Sequence, residues 1–459
     1  MNQPIRTLAI GCLVLFGLLL ANITYVQVFE AASLNAHSGN ARVQNAECAR
    51  DRGPILVGGK TVARSVPSHD SLKFIRRYSQ PYLYAPVTGF FSCIYGTSGV
   101  ENTENTILSG SDDKLFVQRL MGLVGNDQPQ GGSVLLTINP KAQQAAYQGL
   151  QALPGQAKGA AVALDPRTGA ILAMASTPSY NPNLLSTHNY SAAVKSWKML
   201  TTGPANRMDN RATQEIFPPG STFKLITAST ALSNGYSPDS TVKGGASLVL
   251  PQTTHILHNE NGSNCGGDQI TLTQALAVSC NVSFGDLGLK LGAQKLRQQA
   301  EKYGFNGDIF DELPSAQSVF PSHLNPPETA LSAIGQYDVA ASPLQMAMVA
   351  AGIANGGTVM KPYVVDEVRA PDLSVISKAQ PQSLHQAISA SVASELTQMM
   401  VDVVKSGTGT PAAIPGIQVA GKTGTANSSI NRSPYAWFVA FAPANNPKVA
   451  VAVLVEQSG

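Results

Sequence analysis

The chain has 459 residues, of which 43% are hydrophobic and 13% charged, with a formal net charge of +3. Length allows about three domain-sized units. The charge is too small, and too evenly spread, for a nucleic-acid partner, since no Lys/Arg stripe interleaved with aromatics is present.

Leu8 to Phe29 is the one membrane-length apolar run. It carries no formal charge and, at about 22 residues, can span hydrocarbon. Arg6 before it favours the N-terminus inside and the rest of the chain outside. A cleaved signal peptide is the alternative, but the run is long for one and Asn22-Ile23-Thr24 is a poor cleavage site. Of the five cysteines, Cys12 lies in this run. Cys48, Cys93, Cys265 and Cys280 would face the outside, where disulfides persist, and four thiols allow three connectivities.

Asn40 to about Gly132 reads as a first domain rich in strands and loops, with short apolar runs (Ile55-Leu56-Val57, Leu83-Tyr84) between Gly and Pro. It offers no metal-ligand spacing and no nucleophile beside a base, the pattern of a structural or docking module. A polar, Gly-rich boundary falls at Asn126 to Gly132. Ser133 to Ile138 is a predicted strand, and Asn139-Pro140 opens a helix through Leu150. Gly159 to Leu164 and Ala170 to Ser176 form a hairpin around Asp165-Pro166-Arg167-Thr168-Gly169. A polar stretch, Ser179 to Arg211, follows.

Pro218-Pro219-Gly220 ends what precedes it, and Thr222 to Leu232 runs unbroken to the stop signal Asn234-Gly235. Ser221 therefore opens a buried helix with Lys224 on the same face. A serine hydroxyl needs a base beside it, and a lysine serves only if burial or a neighbouring cation keeps it neutral. Two other S-x-x-K copies, Ser111/Lys114 and Ser240/Lys243, open no apolar helix. Farther on, Thr271 to Val278 is a helix with Thr271 and Gln274 at capping-box spacing. It breaks at Ser279-Cys280-Asn281 before Val282 to Leu291 resumes, so that Ser279 and Asn281 sit at the rim of a packed core. Helices follow near Thr329 to Ile334, Pro343 to Ile353 and Ser391 to Lys405. Ile417 to Ala426, Tyr435 to Phe441 and Lys448 to Val455 read as an antiparallel meander. Lys422-Thr423-Gly424-Thr425 lies inside the first of these strands, where a glycine marks close approach by a ligand or another backbone. The similar Lys405-Ser406-Gly407 only closes a helix. His255 and His258 share a strand-like run and read as a solvated pair rather than metal ligands.

The order S-T-F-K, S-C-N, K-T-G-T, each in a fitting element, is the motif set of penicillin-binding proteins and related β-lactamases. With Arg52-Gly53-x-Ile55, Gly99-Val100-Glu101 and Asp165-Pro166-x-Thr168-Gly169, the sequence resembles the class B penicillin-binding proteins, most closely their actinobacterial branch. The resemblance implies an α+β chain. It would have a cytoplasmic N-terminus (1–7), a transmembrane anchor (8–29) and a small β-rich, non-catalytic dimerisation or pedestal-like domain (30–132). A serine β-lactamase-like transpeptidase domain (133–459) would follow, with a five-stranded antiparallel sheet flanked by helices. It also implies a D,D-transpeptidase that cross-links peptidoglycan outside the membrane. Ser221 would attack the D-Ala-D-Ala carbonyl and Lys224 would take its proton. Ser279 would relay a proton to the leaving amine, and Asn281 would orient the stem peptide and Lys224. Lys422 would bind the terminal carboxylate and keep Lys224 neutral by repulsion, with Thr423 and Thr425 bonding that carboxylate beside Gly424. The N–H groups of Ser221 and Thr425 would form the oxyanion hole. Neither metal nor cofactor is implied. Implied partners are peptidoglycan stem peptides, β-lactams, a SEDS-family glycosyltransferase and other division or elongation proteins.

Two departures stand out. The chain ends just after its last strand, where the family continues into a helix on the sheet. The last strand is almost wholly apolar, as if covered on both faces. Upstream helices, including the one carrying Ser221, would cover one face, and a truncated chain is expected, unless part of Ser179 to Arg211 covers the other. The first domain is also short for the class. The rival activities are a D,D-carboxypeptidase or β-lactamase, for which Glu301, Asp308, Asp311 and Glu312 are candidates to activate water, and a non-catalytic scaffold. A Cys265–Cys280 disulfide is expected to pin Ser279 and Asn281, whereas nothing in the sequence brings Cys48 and Cys93 together.

Overall fold

The structure is a computed structural model that describes residues 3–30, 33–34, 46–115, 130–203, 206–426 and 433–456. Most of the expected boundary at Asn126 to Gly132 lies outside these. Gln3 to Glu30 is one apolar helical run of 28 residues, long enough to cross a membrane and with none of its most apolar stretch buried in the protein.

The first module is built on a six-stranded sheet whose members come from two widely separated parts of the chain. Ile55–Val57, Lys60–Pro67 and Phe74–Tyr78 form an antiparallel run, and Ser133–Leu136 lies parallel to Ile55–Val57. Val365–Arg369 and Val375–Lys378 then complete the far edge. Glu101, in the short helix Gly99–Thr103, is fully buried. It accepts hydrogen bonds from Arg52 Nη2 (2.8 Å), Arg76 Nε (2.6 Å) and the Tyr78 hydroxyl (3.0 Å). Burial alone would raise its carboxyl; the two guanidiniums outweigh it and hold the group low. The Arg52 and Glu101 motifs, far apart in sequence, thus form one network. Leu83 and Tyr84 lie not in a strand but in a helix, Pro81–Thr88, where Pro81 occupies the first turn without losing a bond.

A second sheet has five antiparallel strands in the order Ala420–Ala426, Tyr435–Ala442, Val449–Val455, Gly159–Leu164, Ile171–Thr177. The terminal meander is therefore extended by the hairpin. Pro343–Ala354, capped by Ser342 and almost wholly buried, packs across three middle strands. It, rather than the helix after Ser221, is what the last strand lies on. The helix Lys224–Leu232 is buried along its whole length among Asn281–Leu291, Ala293–Lys302 and Ala390–Ser406. On the opposite face, Leu150 of the helix Pro140–Gln151 packs on Ala161, Ala175 and Val453, and Val404 of Ala390–Ser406 on Ala440 and Val451. Ser179 to Arg211 contains a helix, Tyr190–Thr201, whose Trp197 stacks on Tyr95 at 4.2 Å and meets Phe90. That helix packs on the first module, while Asn210 and Arg211 at the segment's end bond Met174, Ser176 and Glu456 of the sheet's margin.

Candidate active site

Two turns converge at the edge strand Ala420–Ala426. The first begins at Pro219. Gly220 has φ +51°, and a Cβ there would lie 2.5 Å from the carbonyl oxygen of Thr425, so only glycine lets the turn sit against the strand. Residues 220–223 form a 3₁₀ turn that passes into the helix at Lys224. Thr222 Oγ1 bonds the Pro219 carbonyl (2.7 Å), Trp437 Nε1 bonds the Pro218 carbonyl (2.9 Å), and Phe223 stacks on Phe320. Ser221 is left half-buried at the cleft wall. Gly424 meets this turn directly: a Cβ there would come within 2.8 Å of the Thr222 methyl and 3.0 Å of Trp437 Cβ. The close approach that a glycine in a strand signals is therefore that of the turn carrying Ser221.

The second turn is Ser279-Cys280-Asn281, between the helices Leu272–Ala277 and Asn281–Leu291. Ser279 has φ +59°, a conformation that costs a non-glycine residue of order 1 kcal/mol or more and is kept only where surroundings enforce it. Here Cys280 N–H bonds Ala275 O (2.9 Å), and Cys280 is joined to Cys265. Asn259, buried, accepts from Val282 N–H at 3.0 Å, supplying a cap from outside the helix. His258 O accepts from Asn281 Nδ2 at 3.0 Å and so fixes which way the amide faces. A second disulfide joins Cys48 to Cys93.

Lys224 and Lys422 meet at Ser279, both wholly buried. Lys224 Nζ donates to Ser279 O and to Asn281 Oδ1, each at 2.7 Å, and lies 3.3 Å from Ser279 Oγ. Lys422 Nζ donates to Ser279 Oγ and to Thr423 O, both at 2.9 Å. Neither lysine has a carboxylate in ion-pair contact among the described residues. Burial, and then the charge of Lys422, push Lys224 well below the usual lysine range, against a weaker pull from Glu260. Burial lowers Lys422 to about 7. A neutral amine has two N–H bonds and one lone pair. The two 2.7 Å contacts at Lys224 use both donors on oxygens that can only accept, and leave the lone pair for a hydroxyl proton.

Thr423 shares a 2.6 Å contact with Thr408, and Thr425 lines a cleft of about 560 Å³ together with Ser221 and Asn281. The structure thus brings Ser221, Lys224, Ser279, Asn281, Lys422, Thr423, Gly424 and Thr425 into one locus. The four water-activating candidates lie away from the cleft. Glu301 pairs with Arg297, Asp311 with Lys361, Glu312 accepts from the N–H groups of Val364 and Val365, and Asp308 is exposed elsewhere. His255 and His258 do line the cleft, but no group of three metal-ligating side chains occurs among the described residues. Asn259, Glu260 and Tyr337 at this locus belong to none of the motifs read from the sequence.

Residues 159–459 match the penicillin binding protein transpeptidase domain, and residues 52–134 the penicillin binding protein A dimerisation domain. The chain is 44% identical to the peptidoglycan D,D-transpeptidase PbpA of Mycolicibacterium smegmatis, over 100% of this chain and 94% of that protein. It is 43% identical to PbpA of Mycobacterium tuberculosis, over 99% and 94%. Among solved structures it is similar to M. tuberculosis penicillin-binding protein A in its penicillin G acyl-enzyme complex. That match has a TM-score of 0.86 and 42% identity, and covers 89% of this chain and 94% of the other.

Proposed function

The chain belongs to the class B penicillin-binding proteins, and on that footing we propose that it is a membrane-anchored peptidoglycan D,D-transpeptidase, acylated by penicillin at Ser221. In this reading Ser221 Oγ attacks the penultimate D-Ala carbonyl while its proton passes to the Lys224 lone pair. The carbonyl oxygen takes the negative charge between the N–H groups of Ser221 and Thr425, donors worth on the order of 3 kcal/mol each in known cases. The proton reaches the departing D-Ala amine through Ser279, which touches both lysines. Lys422, with Thr423 and Thr425, holds the donor's terminal carboxylate. An amine of a second stem peptide then attacks the acyl carbonyl and releases Ser221.

The observation that carries this reading is the buried Lys224, with no carboxylate partner among the described residues and both donors committed to Ser279 and Asn281. The helical run Gln3 to Glu30 would serve as anchor, with the N-terminus inside, and residues 133–459 as the catalytic domain, apart from Ser133–Leu136, Val365–Arg369 and Val375–Lys378, which join the sheet of the first module. The reaction polymerises no glycan, so a SEDS-family glycosyltransferase would act alongside, contacted through the anchor and first module. The test is mass spectrometry of the full chain in detergent after benzylpenicillin. A persistent adduct on the Ser221 peptide is expected. No adduct there would end the proposal, and turnover within seconds would favour a hydrolase.

A further inference from the structure

The cleft has a wall to which the chemistry above gives no role. Facing Ser221, Asn281 and Thr425 is the segment His255 to Glu260. It is firmly held. Asn259 Nδ2 donates to Gly245 O and Ser263 O at 2.7 and 2.8 Å, its Oδ1 accepts from Val282, and His258 O accepts from Asn281. Glu260 follows directly, opening a single 3₁₀ turn. Its position is therefore tied to the same turn that places Ser279 and Asn281. Glu260 is exposed, and its carboxylate has neither hydrogen bond nor ion pair among the described residues. It is the sole acid among the described residues lining the cleft. Its charge reaches both Lys224 and Lys422.

An exposed anion beside a site that takes a terminal carboxylate weakens that ligand's binding by like-charge repulsion. The arrangement turns favourable when the occupant also carries a cation. Resting on the transpeptidase reading, the reaction contains one: the primary amine of a stem-peptide diamino acid, protonated at neutral pH. We propose that Glu260 forms a subsite for that ammonium group, and so discriminates stem peptides that bear a free amine from those in which it is blocked. The amine can belong to the donor peptide or to the acceptor.

The test uses the full chain in detergent and the variants Glu260→Gln and Glu260→Lys. The donor probes are Nα-acetyl-Lys-D-Ala-D-Ala and its Nε-acetylated form. The acceptor probes are a lysine-containing tetrapeptide and hydroxylamine, which is uncharged at neutral pH. If the donor's amine is bound, Glu260→Gln lowers kcat/KM for the free-amine donor by about two- to fivefold relative to the blocked donor, the range of an exposed ion pair. If the acceptor's is bound, the donor ratio stays level and aminolysis by the tetrapeptide falls by a similar factor relative to hydroxylamine. Glu260→Lys should deepen whichever effect appears. Unchanged ratios, or equal losses for charged and uncharged probes, would overturn the proposal. So would a longer-lived penicilloyl adduct in Glu260→Gln, because the carboxylate would then be serving water. Benzylpenicillin adduct formation on Ser221, recorded in the same samples, keeps failure of the transpeptidase reading distinguishable from failure of this one.

Discussion

Replacing Lys422 by Met should make the protein more stable at neutral pH while impairing its chemistry. An unfolded lysine keeps its proton up to about 10.5, and folded Lys422 releases it near 7. Between these values unfolding takes up a proton, so stability rises with pH across the window; the destabilisation is full below about 7 and fades toward 10.5. At about 1.4 kcal/mol for each pH unit by which the value falls, burying Lys422 costs about 4 kcal/mol at pH 7 and about 1 kcal/mol at pH 10. Methionine is of similar length and carries no charge. It forgoes the two hydrogen bonds to Ser279 Oγ and Thr423 O, worth about 1 kcal/mol each. Removing the Lys422 charge also eases the neighbouring Lys224, an effect of the same sign at pH 7. The variant should therefore be about 2 kcal/mol more stable than the parent at pH 7 and about 1 kcal/mol less stable at pH 10. Urea unfolding of the full chain followed by tryptophan fluorescence suits the comparison, because Trp437 is buried against the Pro218 carbonyl. A Lys422→Met protein less stable at pH 7, or a difference independent of pH, would refute the reasoning. Benzylpenicillin acylation, measured alongside, should fall in the variant at both pH values.

Lys224→Arg should cut benzylpenicillin acylation at least about 100-fold, because a guanidinium cannot accept the serine proton; a near-normal second-order rate of adduct formation would refute the assigned role. Removing the Cys265–Cys280 bridge as Cys265→Ala/Cys280→Ala should cost about 3 kcal/mol, the chain-entropy value for a loop of 15 residues. Unfolding of the double variant measures it, and peptide mapping without reduction checks the pairing. Glu101→Ala should destabilise the first module by about 3–5 kcal/mol, since it strands two buried guanidiniums. Limited proteolysis reads this as early cleavage within residues 46–115.

The fold's catalytic half was legible because its signals are local. Asn139, Thr271 and Ser342 cap the helices they precede, and the three terminal strands are set off by turn residues. Ser221, Lys224, Ser279, Asn281 and Lys422 could be grouped only through the order of their motifs, since no periodicity says that positions 57 and 143 residues apart will touch. What supports that grouping was not legible. Asn259 and the His258 carbonyl act across 23 residues, the helix Leu272–Ala277 among them, on a helix end and an amide, and a backbone acceptor has no sequence signature. Ala293–Lys302 is polar enough to be taken for surface, with only Leu296, Gln299 and Ala300 turned inward. Nothing local joins Cys48 to Cys93, 45 residues apart; the pairing follows from the fold of the first module.

The six-stranded sheet of the first module bears on how such a protein can be recombined. Two of its strands, Val365–Arg369 and Val375–Lys378, are spelled out more than 200 residues after the others. They follow shortly on the helix Pro343–Ala354 that underlies the second sheet, and the Val364 and Val365 amides are tied to Glu312. The unit that folds together is therefore not a contiguous stretch of gene. A chimaera that exchanges only the N-terminal segment with a relative would pair foreign strands against native ones along Ser133–Leu136. An exchange that carries residues 365–378 with it keeps every strand beside the partner it was selected with.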